Sequence, residues 1–277
     1  MSEHDEKRAF SFLQFNHRPP KPRRTGVTEV RGPYYDAYGV RHLEDVLETM
    51  GWYVDSVKFA GGSFALMPRE TVKAFIDTAH RFDVMVSTGG FVEHVITRGP
   101  RVVERYIDEC AEFGFDIVEI SSGFISVPPE DLVRISQRVQ KAGLKAKPEV
   151  GILFGAGGGV LEESDEGTRD VGTAISLAKR HLDAGAYIIM IESEGITENV
   201  RTWRTDAVAR IAHELGVENV MFEAADPEVF TWYVKNYGAE VNLFVDHSQI
   251  VQLECLRSGL WGTSTTWGRI HTYREQS

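Results

Sequence analysis

Apolar residues gather into eight short runs, at 27–31, 54–59, 84–88, 115–121, 144–150, 187–192, 220–224 and 241–246. Nearly every run ends in a polar or charged residue. Runs of this length, set between longer amphipathic stretches, read as buried strands alternating with helices. Leu43, Val46, Leu47 and Met50 recur at helical spacing and predict a helix over 40–50. Val72, Phe75, Ile76 and Ala79 predict a second, entered at Pro68, a residue suited to a first helical turn. Further helices are predicted from Pro100 to just before Gly114, from Pro128-Pro129-Glu130 to a C′ glycine at Gly143, and over 170–184, 202–215, 227–237 and 248–256. Eight βα units in succession predict one α/β domain, a (β/α)8 TIM barrel over 25–258, and its active site belongs at the C-terminal ends of the strands. A charged arm (1–24) precedes the barrel, read as flexible, or else as packed across the barrel bottom or reaching a neighbouring subunit. A tail (259–277) with Trp261, Trp267 and Tyr273 follows, expected to pack on the barrel or on a partner subunit.

Side chains alternate along a strand, so residues of one parity share a face. Glu29 and Arg31, Ile117 and Glu119, and Lys147 and Glu149 each form such a pair. Pointed inward, Glu29, Glu119, Glu149, Glu192 and Glu223 place five carboxylates around one mouth. Close like charges shift each other's ionisation strongly, so cations must answer them. Arg31, Lys58 and Lys147 supply part, and a hard divalent ion, Mg2+ or Mn2+, suits a set of carboxylate oxygens and water. Buried Glu–Lys and Glu–Arg pairs that merely tie strands together are the alternative. After strand 8, Asp246, His247 and Ser248 form a phosphate cradle with backbone N–H groups, or cap the helix that follows. His247 reads as a general acid, a phosphate donor or a packed structural histidine. Gly61-Gly62-Ser63, and Gly89-Gly90 beyond Ser87, allow a ligand close to the backbone or simply make tight turns. The stretch 151–167 holds six glycines and four acidic residues and reads as a lid over the mouth or as a surface insertion.

Composition narrows the partners. The chain has 277 residues, 42 % of them hydrophobic, enough for one barrel core, and no apolar run long enough to span a membrane. A net charge of −11 argues against nucleic acid or an anionic membrane surface as partner, leaving room for a small anionic substrate. Cys110 and Cys255 fall in predicted helices and read as buried thiols. The hydrophilic N-terminus lacks a signal-like apolar segment, so the cytosol is the expected compartment.

These residues together resemble the phosphosulfolactate synthase family of (β/α)8 enzymes, over about 21–262. The likeness rests on Lys21-Pro22-Arg23, Gly26-Val27-Thr28, Val57-Lys58-Phe59, Gly114-Phe115-Asp116-Ile117-Val118-Glu119-Ile120-Ser121, Pro148-Glu149-Val150-Gly151, Phe222-Glu223-Ala224 and Leu256-Arg257-Ser258-Gly259-Leu260. Within the family it is most similar to the branch of plant heat-stress-associated phosphosulfolactate synthase-like proteins, through Phe59-Ala60-Gly61-Gly62-Ser63 and Asn242-Leu243-Phe244-Val245-Asp246-His247-Ser248-Gln249. The resemblance implies a lyase that adds sulfite, or another nucleophile, to phosphoenolpyruvate or a related enolate-forming acid, with Mg2+ as cofactor. It implies Lys58 and Lys147 as proton-transfer residues, with Glu223 and His247 as further catalytic candidates, Glu223 orienting Lys58. Glu119, Glu149 and Glu192 become metal ligands, and Arg31, Gly61, Gly62, Ser87, Asp246 and Ser248 substrate contacts. A homo-oligomer is implied as well. Where the synthases carry two lysines after Glu149-Val150-Gly151, this chain has Ile152 and Leu153. The other reading is a non-catalytic heat-stress-associated protein acting through protein contacts.

Overall fold

The strands close. In the computed structural model, which describes residues 8–152, 170–224, 226–261 and 268–272, eight parallel strands form a barrel in the order β1 to β8, with β1 paired to both β2 and β8. They are β1 Thr28–Arg31, β2 Ser56–Lys58, β3 Met85–Ser87, β4 Ile117–Ile120, β5 Lys145–Val150, β6 Ile189–Ile191, β7 Val220–Glu223 and β8 Asn242–Asp246. Each lies inside its predicted run, trimmed at the ends where the chain turns.

The helices fall between them: α1 Val40–Met50, α2 Arg69–Arg81, α3 Val92–Ile96, α4 Pro100–Phe113, α5 Pro129–Lys141, α6 Val171–Asp183, α7 Thr205–Leu215, α8 Pro227–Tyr237 and α9 Ile250–Arg257. Pro100, Pro129 and Pro227 stand in the first turns of their helices, where a missing N–H costs nothing. Gly114 ends α4 in the left-handed conformation, its N–H returning to Ala111 and Cys110. Two helix starts differ from the sequence reading, and one helix is additional to it. The helix expected from residue 202 starts at Thr205, the one expected from Ser248 starts at Ile250 after a turn over His247–Gln249, and α3 was not anticipated. Asp170 caps α6 by accepting from Gly172 N. Cys110 lies buried in α4 and Cys255 half-buried in α9, both free. Among the described residues no helix is long and apolar enough to cross a membrane.

Parity sorts the barrel wall. Val30, Val57, Val86, Val118, Val150, Ile189, Phe222 and Leu243 belong to the main core between sheet and helices. The opposite parity points inward, where Val27, Ile188, Met190, Met221 and Phe244 form a separate apolar cluster. That cluster is a dry floor; the polar tiers stand above it.

The bottom of the barrel takes up the arm, so of the readings offered for 1–24 the packing one describes its C-terminal part. Arg18 pairs with Glu254 (2.9 Å) and donates to Gly26 O (2.8 Å), and Arg23 pairs with Asp55 (2.9 Å). Arg257, fully buried, donates to Gly26 O (2.8 Å), Thr28 Oγ1 (2.7 Å) and Val241 O (2.7 Å). Residues 1–7, most of the expected lid at 151–167, and Trp267 and Tyr273 lie outside the described residues.

Candidate active site

The lower polar tier is a buried ion network. Register sets Glu119 beside Lys147 and Glu29 beside Ser56. Lys147 Nζ bridges Glu29 Oε1 and Glu119 Oε2, the latter at 3.0 Å, while Glu29 Oε2 accepts from Ser56 Oγ at 2.8 Å. Lys58 Nζ meets Glu119 from above at 3.3 and 3.4 Å and sits 4.0 Å over the Phe244 ring. Burial opposes the charge on Glu119, but the ammonium groups of Lys147 and Lys58 outweigh it and hold its carboxyl below the usual range. Burial likewise opposes the Lys58 charge, and Glu119, Glu223, Glu149 and Glu29 more than compensate, so its pKa rises. Lys58 therefore stays an ammonium, which makes it an electrostatic stabiliser and a poor proton donor.

The upper tier opens into a cavity of about 590 Å3 lined by Arg31, Lys58, Glu119, Glu149, Glu192, Glu223 and Phe244 on the strand side. Arg31 reaches Glu223 (3.3 Å) and Asp246 (3.8 Å), its guanidinium lying between the rings of Tyr35 (4.9 Å) and Phe244 (5.1 Å). Glu149 is the penultimate residue of β5, Glu192 follows β6 and Glu223 ends β7, so three carboxylates crowd one arc of the mouth. Burial, then the charge of Glu192, pushes Glu223 up to about 8; burial, then Glu119 and Glu192, pushes Glu149 well above the carboxylate range. At neutral pH Glu223 therefore keeps its proton, and Glu149 is biased toward its neutral form. Protonated carboxyls at a mouth are proton donors.

The remaining sequence-predicted residues are dispersed. Lys147 is sealed beneath the cavity at 0 % exposure, placed as a strand-bridging ion rather than a mouth residue. Gly61 lines the cavity, and Gly62 packs against Phe91. Ser87 ends β3 fully buried, its hydroxyl without a hydrogen-bond partner. Asp246 Oδ1 accepts from Ser248 N (3.0 Å) and Ser248 Oγ (2.7 Å), the capping alternative; Ser248 N–H is thereby spent and does not face the cavity. The His247 ring packs on Tyr38 (4.6 Å) and edge-on to His42 (5.1 Å), away from the carboxylate arc.

Sequence reasoning missed the far wall: Tyr34, Tyr35, Phe91, Glu93, His94, Ser121 and Phe124. Glu93 holds it together by accepting from Ser121 Oγ (2.7 Å), Gly123 N (2.9 Å) and Phe124 N (2.8 Å). These residues sit in loops and the five-residue α3, where no hydrophobic period marks them.

A divalent ion can be tested against this donor set. Glu119, expected as a ligand, has its oxygens engaged by two lysines. Glu149 and Glu192 have no such partner among the ion pairs of the described residues, and an all-oxygen pair completed by water fits Mg2+. Among the described residues no three acidic, histidine or cysteine side chains already converge as a metal cage. The fit is thus to an ion held by two carboxylates and its own waters.

The family model for (2R)-phospho-3-sulfolactate synthase (ComA) matches residues 16–263. Protein HEAT-STRESS-ASSOCIATED 32 of Arabidopsis thaliana is 40 % identical over 259 residues, covering 89 % of this chain and 91 % of its own. The phosphosulfolactate synthase of Methanothermobacter thermautotrophicus is 28 % identical, covering 95 % and 99 % respectively. Among solved structures, the carboxyl transferase domain of Rhizobium etli pyruvate carboxylase with pyruvate matches with TM-score 0.59 at 13 % identity, over 81 % of this chain and 40 % of that one. At that identity the likeness speaks to the fold alone.

Proposed function

The chain belongs to the phosphosulfolactate synthase family, and from that premise we propose that it is a Mg2+-dependent lyase of this type, adding sulfite or another nucleophile to phosphoenolpyruvate or a related enolate-forming acid. The observation that carries the reading is the carboxylate arc of Glu149, Glu192 and Glu223 facing Lys58 and Arg31 at the C-terminal end of the barrel. Such an arc answers a need. Carboxylates outnumber cations here: Glu29, Glu119, Glu149, Glu192, Glu223 and Asp246 on the strand side and Glu93 on the far wall stand against Arg31, Lys58 and Lys147. A divalent ion held by Glu149 and Glu192 would reduce that excess, so that an anionic substrate is repelled less.

Attack of a nucleophile on C3 of phosphoenolpyruvate drives the C2–C3 electron pair onto the carboxylate, and C2 then takes a proton. Mg2+ held by Glu149 and Glu192 would supply positive charge where that carboxylate gains electrons. Lys58 stands beside the same charge as a fixed ammonium, Arg31 grips the phosphate, and Glu223, protonated at neutral pH, delivers the proton to C2. Phosphorus NMR of phosphoenolpyruvate with sulfite and Mg2+ tests the reading: a new phosphate-ester resonance is expected, and its absence with active-site-loaded protein sinks it. Lys58→Met should abolish the turnover.

The 40 % identity to the Arabidopsis protein favours a second reading, a heat-stress role through protein contacts. That role would survive Lys58→Met, which separates it from catalysis. A cytosolic homo-oligomer accompanies both readings, and light scattering of the purified chain tests the assembly.

A further inference from the structure

Three aromatic side chains at the mouth stand out of the protein although each lines the cavity or its rim. Tyr34 is 56 % exposed, Tyr35 73 % and Phe124 69 %. Exposed apolar rings gathered at one cavity, unlike rings scattered singly, mark a ligand groove. Their backbone seats are built. Gly61 and Gly62 adopt positive φ (59° and 69°), and a Cβ on either would stand 2.6 Å from the Tyr34 ring and 2.1 Å from the Phe91 ring. Both rings therefore occupy space that only glycine leaves free. Glu93 pins the backbone N–H of Phe124 at 2.8 Å, and Arg31 donates to the Tyr35 hydroxyl at 3.1 Å. His94 stacks on Phe91 (centroids 5.4 Å, 18°) and closes the same wall. The rings are held; the Arg31 guanidinium lies over Tyr35 at 4.9 Å, while Tyr34 and Phe124 stand open at the mouth.

Charge decides what the wall receives. Two cations open to the cavity: Arg31, 3.3 Å from Glu223 and 3.8 Å from Asp246, and Lys58, held by Glu119 at 3.3 Å. A phosphorylated acid takes the Arg31 charge, so a second ligand of low negative charge meets the carboxylate arc with the least repulsion. We propose that the aromatic wall is the subsite for the second substrate, a sulfur nucleophile that carries an aromatic ring and a single negative charge. The proposal rests on the carbon–sulfur lyase reading above. A sulfur lone pair forms the bond to C3, the C2–C3 electron pair moves to the carboxylate, and C2 then takes a proton. The phosphate stays in place and no redox partner is involved.

Benzenesulfinate and methanesulfinate share the sulfur nucleophile and differ in the ring. Calorimetric titration of each into the full chain holding Mg2+ and the saturated analogue 2-phospholactate measures what the ring contributes. Stacking on one aromatic face is worth roughly 5- to 150-fold, and benzenesulfinate is expected to bind at least about tenfold tighter. In Phe124→Ala and Tyr34→Ala the ratio of the two affinities should fall toward one. That ratio is internal to each variant, so a loss of folded protein does not imitate the result. Equal binding of the two sulfinates, or a preference unchanged in both variants, overturns the subsite. Ring-selective binding with no new phosphate-ester resonance from phosphoenolpyruvate supports the subsite and overturns the lyase reading instead.

Discussion

Lys147→Met removes the cation that ties three strands together. Lys147 and Glu29 are 0 % exposed and Glu119 1 %. After the substitution Glu119 keeps Lys58 at 3.3 Å, whereas Glu29 keeps only the neutral Ser56 hydroxyl at 2.8 Å. One buried carboxylate is then unpaired. Breaking a buried pair in this way costs about 3–5 kcal/mol, which at roughly 2–4 °C per kcal/mol lowers Tm by about 6–20 °C. The loss should depend on pH. An unpaired Glu29 has its folded pKa raised above the unfolded value, so the variant is least impaired below that unfolded value and deteriorates as pH rises. Thermal unfolding by circular dichroism at pH 5 and pH 8 measures both effects. Adding Glu29→Gln should restore a large part of the loss, because the orphaned charge disappears. If the single variant melts with the parent, or the double variant melts no higher than the single, the network is not what holds these strands.

Glu223→Gln should abolish turnover, and in the parent kcat/KM should fall above pH about 8 as Glu223 gives up its proton. Its folded pKa lies above its ordinary 4.5, so the stability from the neutral form is complete below 4.5 and gone above 8. The permanently neutral Gln variant should therefore gain on the parent in Tm between pH 5 and pH 9, and a pH-independent difference would refute the assignment. Arg257→Lys cannot reproduce the guanidinium donations to Gly26, Thr28 and Val241, and should lose about 3–5 kcal/mol by urea unfolding. Gly62→Ala places a methyl against the Phe91 ring at positive φ, costing about 1–3 kcal/mol, and should weaken benzenesulfinate more than methanesulfinate.

Much of the barrel was legible because period-2 and period-3.6 patterns report burial directly. Parity pointed Glu29, Arg31, Glu119 and Lys147 inward, and the closed barrel joins the first, third and fourth in one network and sets Arg31 beside Glu223. Parity gives the face of a strand and not the height along the barrel axis, so it could not separate the sealed Lys147 from the open Lys58. The Asp246–Ser248 motif was ambiguous for another reason: a carboxylate that accepts two hydrogen bonds from Ser248 and one that frames a phosphate use the same residues. The aromatic wall left no periodic trace, since Tyr34, Tyr35 and Phe124 lie in loops. Gly61-Gly62 was its one visible sign, noticed as backbone freedom for a ligand when its use is to seat two rings.

The central claim is that the carboxylate arc accepts an anionic substrate only together with a divalent ion. A thermal-shift matrix with phosphoenolpyruvate alone, Mg2+ alone and both tests it most directly, because a ligand of the native state must raise Tm. The account predicts little change with phosphoenolpyruvate alone, a shift of several degrees with both, and its loss in Glu192→Gln. A shift of equal size without Mg2+, or none under any combination at millimolar ligand, would contradict it.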